Sequence, residues 1–262
     1  MSVACQWRVG FSISCQGADP ENVPRTSEVE VRYVQDTGAP VTTTIAAVDP
    51  RRMIRGRPVR RVRSHRRRRH YAGMFWSATN GGHVLYESRL ELDRLWLADF
   101  DIEVVRIAAQ PMWLCGSDGN RTHRHVPDLM LERADGVFTV VDVKPAEFAR
   151  RDESARVFAW TGRVCALRGW AYEVWTGADS VVLANLRTLG AVRRPGLIGP
   201  ETVAAVEAVA RSGMTIDEVV TAARVGGGRS AVLAKLWSGA WTADISVPLS
   251  GKSVLTWVEG SP

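Results

Sequence analysis

Four side chains in the middle of this sequence have types and spacings suited to chemistry. Asp128 follows Pro127, and Asp142 and Lys144 stand two residues apart some way downstream. A fourth, Glu91, lies further upstream, with Glu87 one helical turn before it. Carboxylates and an ammonium set among apolar residues are costly unless something pairs with them. A divalent cation held by oxygen ligands would pair with the acids, and Lys144 would then face an anion approaching that cation. The plain alternative is a hairpin with a salt bridge at its end.

The elements that must position these groups can be read from the same stretch. Val126 to Glu132 has the apolar, β-branched character of a strand. Ala134-Asp135-Gly136 is a turn, because Asp-Gly supplies the positive φ that a hairpin needs. Val137 to Val143 is a near-continuous apolar run, as in a strand buried on both faces. Pro127 removes a ladder donor and so places Asp128 at a strand start or bulge. In an extended chain Asp142 and Lys144 point to the same side.

Upstream, Leu92, Leu95, Trp96 and Phe100 recur at helical spacing. Glu87 and Glu91 share a face of that helix. Glu91 also suits a capping box with Ser88 as N-cap, a role that does not exclude metal binding. Ile102 to Ala108 is a predicted strand, Gln110-Pro111 breaks it, Met112 to Cys115 resumes, and residues 116–120 turn into the strand that carries Asp128. After Pro145 the pattern predicts a helix over 146–167, a strand over 170–175 and a closing helix over 181–189.

Of the 34 Lys and Arg residues only Lys144, Lys235 and Lys252 are lysines, so a lysine beside Asp142 is informative. A compact ammonium does a different job from a guanidinium fork. The net charge of +6 and a pI near 9.5 suit a polyanionic partner. Arginines crowd residues 51–69 and end in Arg66, Arg67, Arg68 and Arg69, a run that phosphate would neutralise and that predicts DNA contact. The four cysteines lack zinc spacing and are expected to be free thiols. No run of about 20 apolar residues exists and residues 3–14 lack the features of a signal peptide, which predicts a soluble, cytoplasmic protein with no membrane partner.

The expected domains are 1–70, a small β element plus the arginine-rich segment; 71–190, an α/β domain; and 196–262, beyond a Pro/Gly linker. Two strands flank Asp36-Thr37-Gly38 in the first, and a hairpin closed by Asn80-Gly81-Gly82 opens the second. In the third, three short helices precede two strands over 241–247 and 254–258, which suggests a winged-helix-like module.

Pro-Asp, a hairpin and then Asp-x-Lys resembles the PD-(D/E)xK nucleases. Ser88-Arg89-Leu90-Glu91, Ala108-Ala109-Gln110-Pro111, Val126-Pro127-Asp128 and the run from Asp142 to Glu147 together resemble the TnsA-type endonuclease subunit of heteromeric transposases. The resemblance covers residues 83–177 well, the C-terminal module weakly, and residues 1–50 not at all. It implies a restriction-endonuclease-like core of helix, mixed sheet and helix. It implies Glu91 (alternatively Glu87), Asp128 and Asp142 as ligands of one or two Mg²⁺ ions, for which Mn²⁺ can substitute, and Lys144 as the fourth catalytic residue. The implied reaction is hydrolysis of one strand of duplex DNA at transposon ends, beside a DDE-type transposase subunit and an AAA+ ATPase regulator. The best-known member of the family has Gln at the position of Asp142, which leaves the number of metals open. Two other readings stand beside this one: a free-standing restriction or repair nuclease, and a non-catalytic DNA-binding adaptor.

Overall fold

The structure is a computed structural model, and it describes residues 28–60, 71–119 and 121–257. These divide into two compact units, one ending at Gly177 and the other beginning at Ala178.

The first unit is α/β. Its central sheet is mixed and holds four strands: β5 (Val104–Ala109), β8 (Leu129–Arg133), β9 (Phe138–Val143) and β10 (Ala171–Trp175), in the order β10-β9-β8-β5. β8 and β9 form the hairpin that Asp135-Gly136 demands. Gly136 has φ +83°, and Asp135 Oδ1 accepts from the Val137 N–H at 2.9 Å. β10 runs parallel to β9, so the chain must cross over between them. Helix α4 (Asp152–Leu167) makes that crossing. Its Trp160, Val164 and Cys165 are fully buried, in one core with Met130, Phe138 and Val140.

A second four-stranded sheet is antiparallel throughout, in the order β2-β1-β6-β7. Its strands are β1 (Glu30–Val34), β2 (Pro40–Thr44), β6 (Trp113–Ser117) and β7 (Thr122–His125). This corrects two expectations. The N-terminal β element is not separate, because Val31 pairs with Leu114 and both are fully buried in the core shared with α4. Residues 113–125 do not continue the central sheet either. The chain leaves it at Gln110, whose φ of +47° turns the backbone aside, and returns at Pro127. The Gln110 N–H donates to the Asp128 carbonyl at 2.8 Å and closes this excursion at its neck.

The arginine-rich segment also begins inside the fold. Helix α1 (Pro50–Ile54) is capped by Asp49 and buries Met53 and Ile54. Burial of two such side chains contributes roughly 1.5–3 kcal/mol each, which a solvated linker would forgo.

Hairpin β3 (Gly73–Ser77) and β4 (Gly82–Tyr86) leads into helix α2 (Arg89–Phe100). Asp99, buried on α2, accepts from Ser77 Oγ at 2.6 Å, the Ala78 N–H at 3.0 Å and the Thr79 N–H at 2.9 Å, and so ties the hairpin to the helix. The helix expected over 146–167 is two: α3 (Ala146–Ala149) and α4, separated at Arg150 and Arg151. Asp152 and Glu153 supply a new negative first turn there.

The second unit begins with α5 (Ser180–Leu189), which the sequence reading placed in the preceding domain. Asn185 decides its allegiance. Its buried side chain donates to the carbonyls of Ile245 and Val247 and accepts from the Leu249 N–H. Helices α6 (Pro200–Val209), α7 (Ile216–Ala223) and α8 (Gly228–Trp237) pack on one another through Val206, Ile216, Val219, Val232 and Leu236. The expected wing is not formed as a ladder. Among the described residues of this unit, the isolated bridges are Thr215↔Val254 and Thr242↔Thr256. Asp244 accepts from the Ser246 N–H, and Asn185 holds the carbonyls of Ile245 and Val247.

Candidate active site at the ends of the central strands

Asp128 lies just outside β8. The last ladder pair is Leu129 with Val141, which puts Asp128 across from Asp142. Its Oδ2 accepts from the Val143 N–H at 2.7 Å. Burial first, and the charge of Asp142 next, push its carboxyl up to about 7, with Glu91 adding to the rise; the Val143 bond and His125 oppose it. The two strand acids and the helix acid therefore share one electrostatic neighbourhood.

Asp142 is the penultimate residue of β9 and pairs with Val174 of β10. It is only 2% exposed. His125 Nε2 stands 2.8 and 2.9 Å from its two oxygens, and the Tyr172 hydroxyl donates to Oδ2 at 2.5 Å. Burial and then Asp142 hold the Tyr172 phenol far above its ordinary range, so it stays a donor. Neither His125 nor Tyr172 figures in the sequence reading. His125 stands three residues before Asp128, but on a strand of the other sheet. Tyr172 carries no local signal at all, since only the parallel pairing of β9 and β10 brings it in.

Glu91 makes the capping contacts. Ser88 Oγ accepts from the Glu91 N–H at 3.1 Å and donates to Glu91 Oε1 at 2.8 Å, while Oε2 accepts from the Glu87 N–H at 2.8 Å. Burial raises its carboxyl, the bonds it accepts from the Glu87 N–H and the Ser88 hydroxyl lower it, the charge of Glu87 raises it, and Arg60 lowers it. Glu87 is thus a neighbour of Glu91. Arg60, a cation that the sequence reading did not single out, sits over the Trp113 ring at 5.5 Å.

Lys144 follows directly. Its N–H continues the ladder to the Trp175 carbonyl at 2.9 Å, while its side chain is exposed and has no ion pair among the described residues. Arg66, Arg67, Arg68 and Arg69 lie outside the described residues.

Whether these groups suit a divalent cation can be judged from charge and donor type. Among the described residues no three His, Cys, Asp or Glu side chains converge into a ready ligand cluster. A hydrated Mg²⁺ does not need one, because it keeps several waters and takes one or two carboxylates plus substrate phosphate. Asp128 and Asp142 are hard oxygen donors at adjacent strand ends; the Asp128 carboxyl is raised mainly by burial and then by the charge of Asp142, and a cation would relieve that second part. The pair fits such an ion.

No family model matches the chain, and no curated protein is significantly similar to it. No helix among the described residues is long and apolar enough to cross a membrane.

Proposed function

We propose that this chain is a metal-dependent DNA endonuclease, acting as the strand-cutting subunit of a heteromeric transposase. The observation that carries the reading is the placement of Asp128, Asp142 and Lys144 at neighbouring ends of β8 and β9, with the Asp128 carboxyl raised first by burial and then by the charge of Asp142. The succession α2, β5, β8, β9, α4, β10, with three antiparallel strands and a parallel fourth, supports a restriction-endonuclease-like core. The helices of the second unit support a winged-helix-like module that docks the transposase or an AAA+ ATPase regulator.

Asp128 and Asp142 would hold one Mg²⁺ or Mn²⁺ ion, and Glu91 is the acid available for a second. When bound, such an ion supplies a water acidified toward hydroxide and neutralises charge on the scissile phosphate. Asp128 ionises before it can ligate, and the Val143 N–H, which accompanies its carboxylate, favours that form. Lys144, exposed beside the acids, meets the phosphate and stabilises the negative charge that grows on it during attack. The arginines of residues 51–69 hold the DNA by its backbone, without sequence preference. On this reading the chain works in the cytoplasm, on DNA.

The test is strand-specific cleavage of end-bearing and scrambled duplexes with Mg²⁺, with and without a DDE-type transposase that recognises those ends. Cuts at the end on one strand, dependent on the transposase, support the proposal. Efficient site-specific cutting by the chain alone favours a free-standing nuclease. DNA binding with no cutting under any condition favours an adaptor.

A further inference from the structure

The contacts around Asp142 assign work to two residues that the proposed reaction does not itself require. His125 reaches Asp142 from the end of β7 in the antiparallel sheet, and Tyr172 reaches it from β10 in the central sheet. The Asp142 carboxylate is 2% exposed, so water does little to hold it. It is held instead at both oxygens by one imidazole N–H and at Oδ2 also by a phenol. The holders are themselves fixed. The His125 ring meets Phe158 of α4 edge-on at 6.4 Å, and Tyr172 packs against the core alongside β9.

A carboxylate offers about four lone-pair sites. Three contacts leave Oδ1 with capacity to spare, while the plane of the group can no longer rotate. Left to itself this side chain would have to be ordered by the metal, at a cost in affinity. Outer partners of this kind are a general means of orienting metal-binding side chains.

We propose that His125 and Tyr172 are positioning residues that set the Asp142 carboxylate for a divalent cation. This rests on the reading of Asp142 as a metal ligand. Neither residue touches the ion or the DNA; each acts through Asp142.

The test is Mn²⁺ binding to the full-length chain without DNA, followed by calorimetry and by the electron paramagnetic resonance of free Mn²⁺. Thermal melts of each variant establish that it is folded. Tyr172→Phe keeps the ring and removes one donor. His125→Ala removes the other, and His125→Gln replaces an N–H near the position of Nε2. Tyr172→Phe and His125→Ala are expected to weaken Mn²⁺ binding by about 10–100-fold, with His125→Gln restoring most of the loss. Unchanged or tighter Mn²⁺ binding in folded Tyr172→Phe and His125→Ala overturns the positioning role while leaving the metal site standing. Absence of Mn²⁺ binding in the wild-type chain overturns the metal reading of Asp142, and the positioning role with it.

Discussion

The Asp128 carboxylate accepts the backbone N–H of Val143 at 2.7 Å, so the side chain of one strand start is bonded to the backbone of the neighbouring strand end. Val143 lies between Asp142 and Lys144. This bond therefore brings Asp128 to the end of β9, at the backbone position between Asp142 and Lys144.

Asp128 makes stability depend on pH in a defined direction. Its carboxyl is raised from 3.8 to about 7 in the folded protein. Between those values the folded chain keeps a proton that the unfolded chain has lost, so this residue's contribution falls as pH rises through the window. Asp128→Asn keeps an acceptor for the Val143 N–H and removes the charge. It is expected to stabilise the metal-free protein at pH 8 by on the order of 2–4 kcal/mol and to change little at pH 4. Urea unfolding at both pH values measures this. Equal effects at the two would contradict it.

Lys144 is exposed and makes no ion pair among the described residues, so its side chain adds little to the fold. Lys144→Ala should shift stability by no more than about 0.5 kcal/mol and lower the cleavage rate by roughly 10²–10³-fold. Lys144→Arg should not restore the rate, because a planar guanidinium cannot replace a compact ammonium. Denaturant melts and single-turnover cleavage separate the two effects.

Asp99 offers the opposite case. It is 5% exposed and holds Ser77, Ala78 and Thr79. Asp99→Ala leaves two backbone N–H groups short of an acceptor and should cost roughly 2–4 kcal/mol. Cleavage at low temperature, where the variant is still folded, should stay near wild type.

Val31 tests whether the N-terminal strands belong to the first unit. It is fully buried and pairs with Leu114 across the antiparallel sheet. Val31→Asp buries an unpaired charge and should cost more than about 3 kcal/mol. A melt of the α/β unit unaffected by the change would show that the strands are an appendage.

What the sequence could and could not disclose follows from the range of the forces involved. The β8–β9 hairpin was legible because Asp135-Gly136 and the apolar runs beside it are local signals. The start of α2 was legible for the same reason, through Ser88 and Glu91. The division of residues 104–133 between two sheets was not, because it depends on β1 pairing with β6 some eighty positions later in the chain. The break between α3 and α4 was hidden because residues 146–167 are apolar at a period that either one helix or two would satisfy. His125 and Tyr172 were hidden for a further reason. They reach Asp142 across 17 and 30 positions of sequence, through strand order and not through spacing. The isolated bridges near the C-terminus stand where a wing was expected, and the backbone there is also bonded by Asn185 of α5, some sixty positions away in sequence, a partner that no local pattern discloses.

The central claim is that Asp128, Asp142 and Lys144 form one hydrolytic centre, and single-turnover cleavage measures it most directly. The substrate is end-bearing duplex DNA with the transposase partner present, and Mg²⁺ is titrated for the wild-type chain and for Asp128→Ala, Asp142→Ala and Lys144→Ala. The account predicts Mg²⁺-dependent cutting of one strand by the wild type, and loss of that cutting in all three variants while each still binds DNA. Cutting by folded Asp128→Ala at the wild-type rate would contradict it.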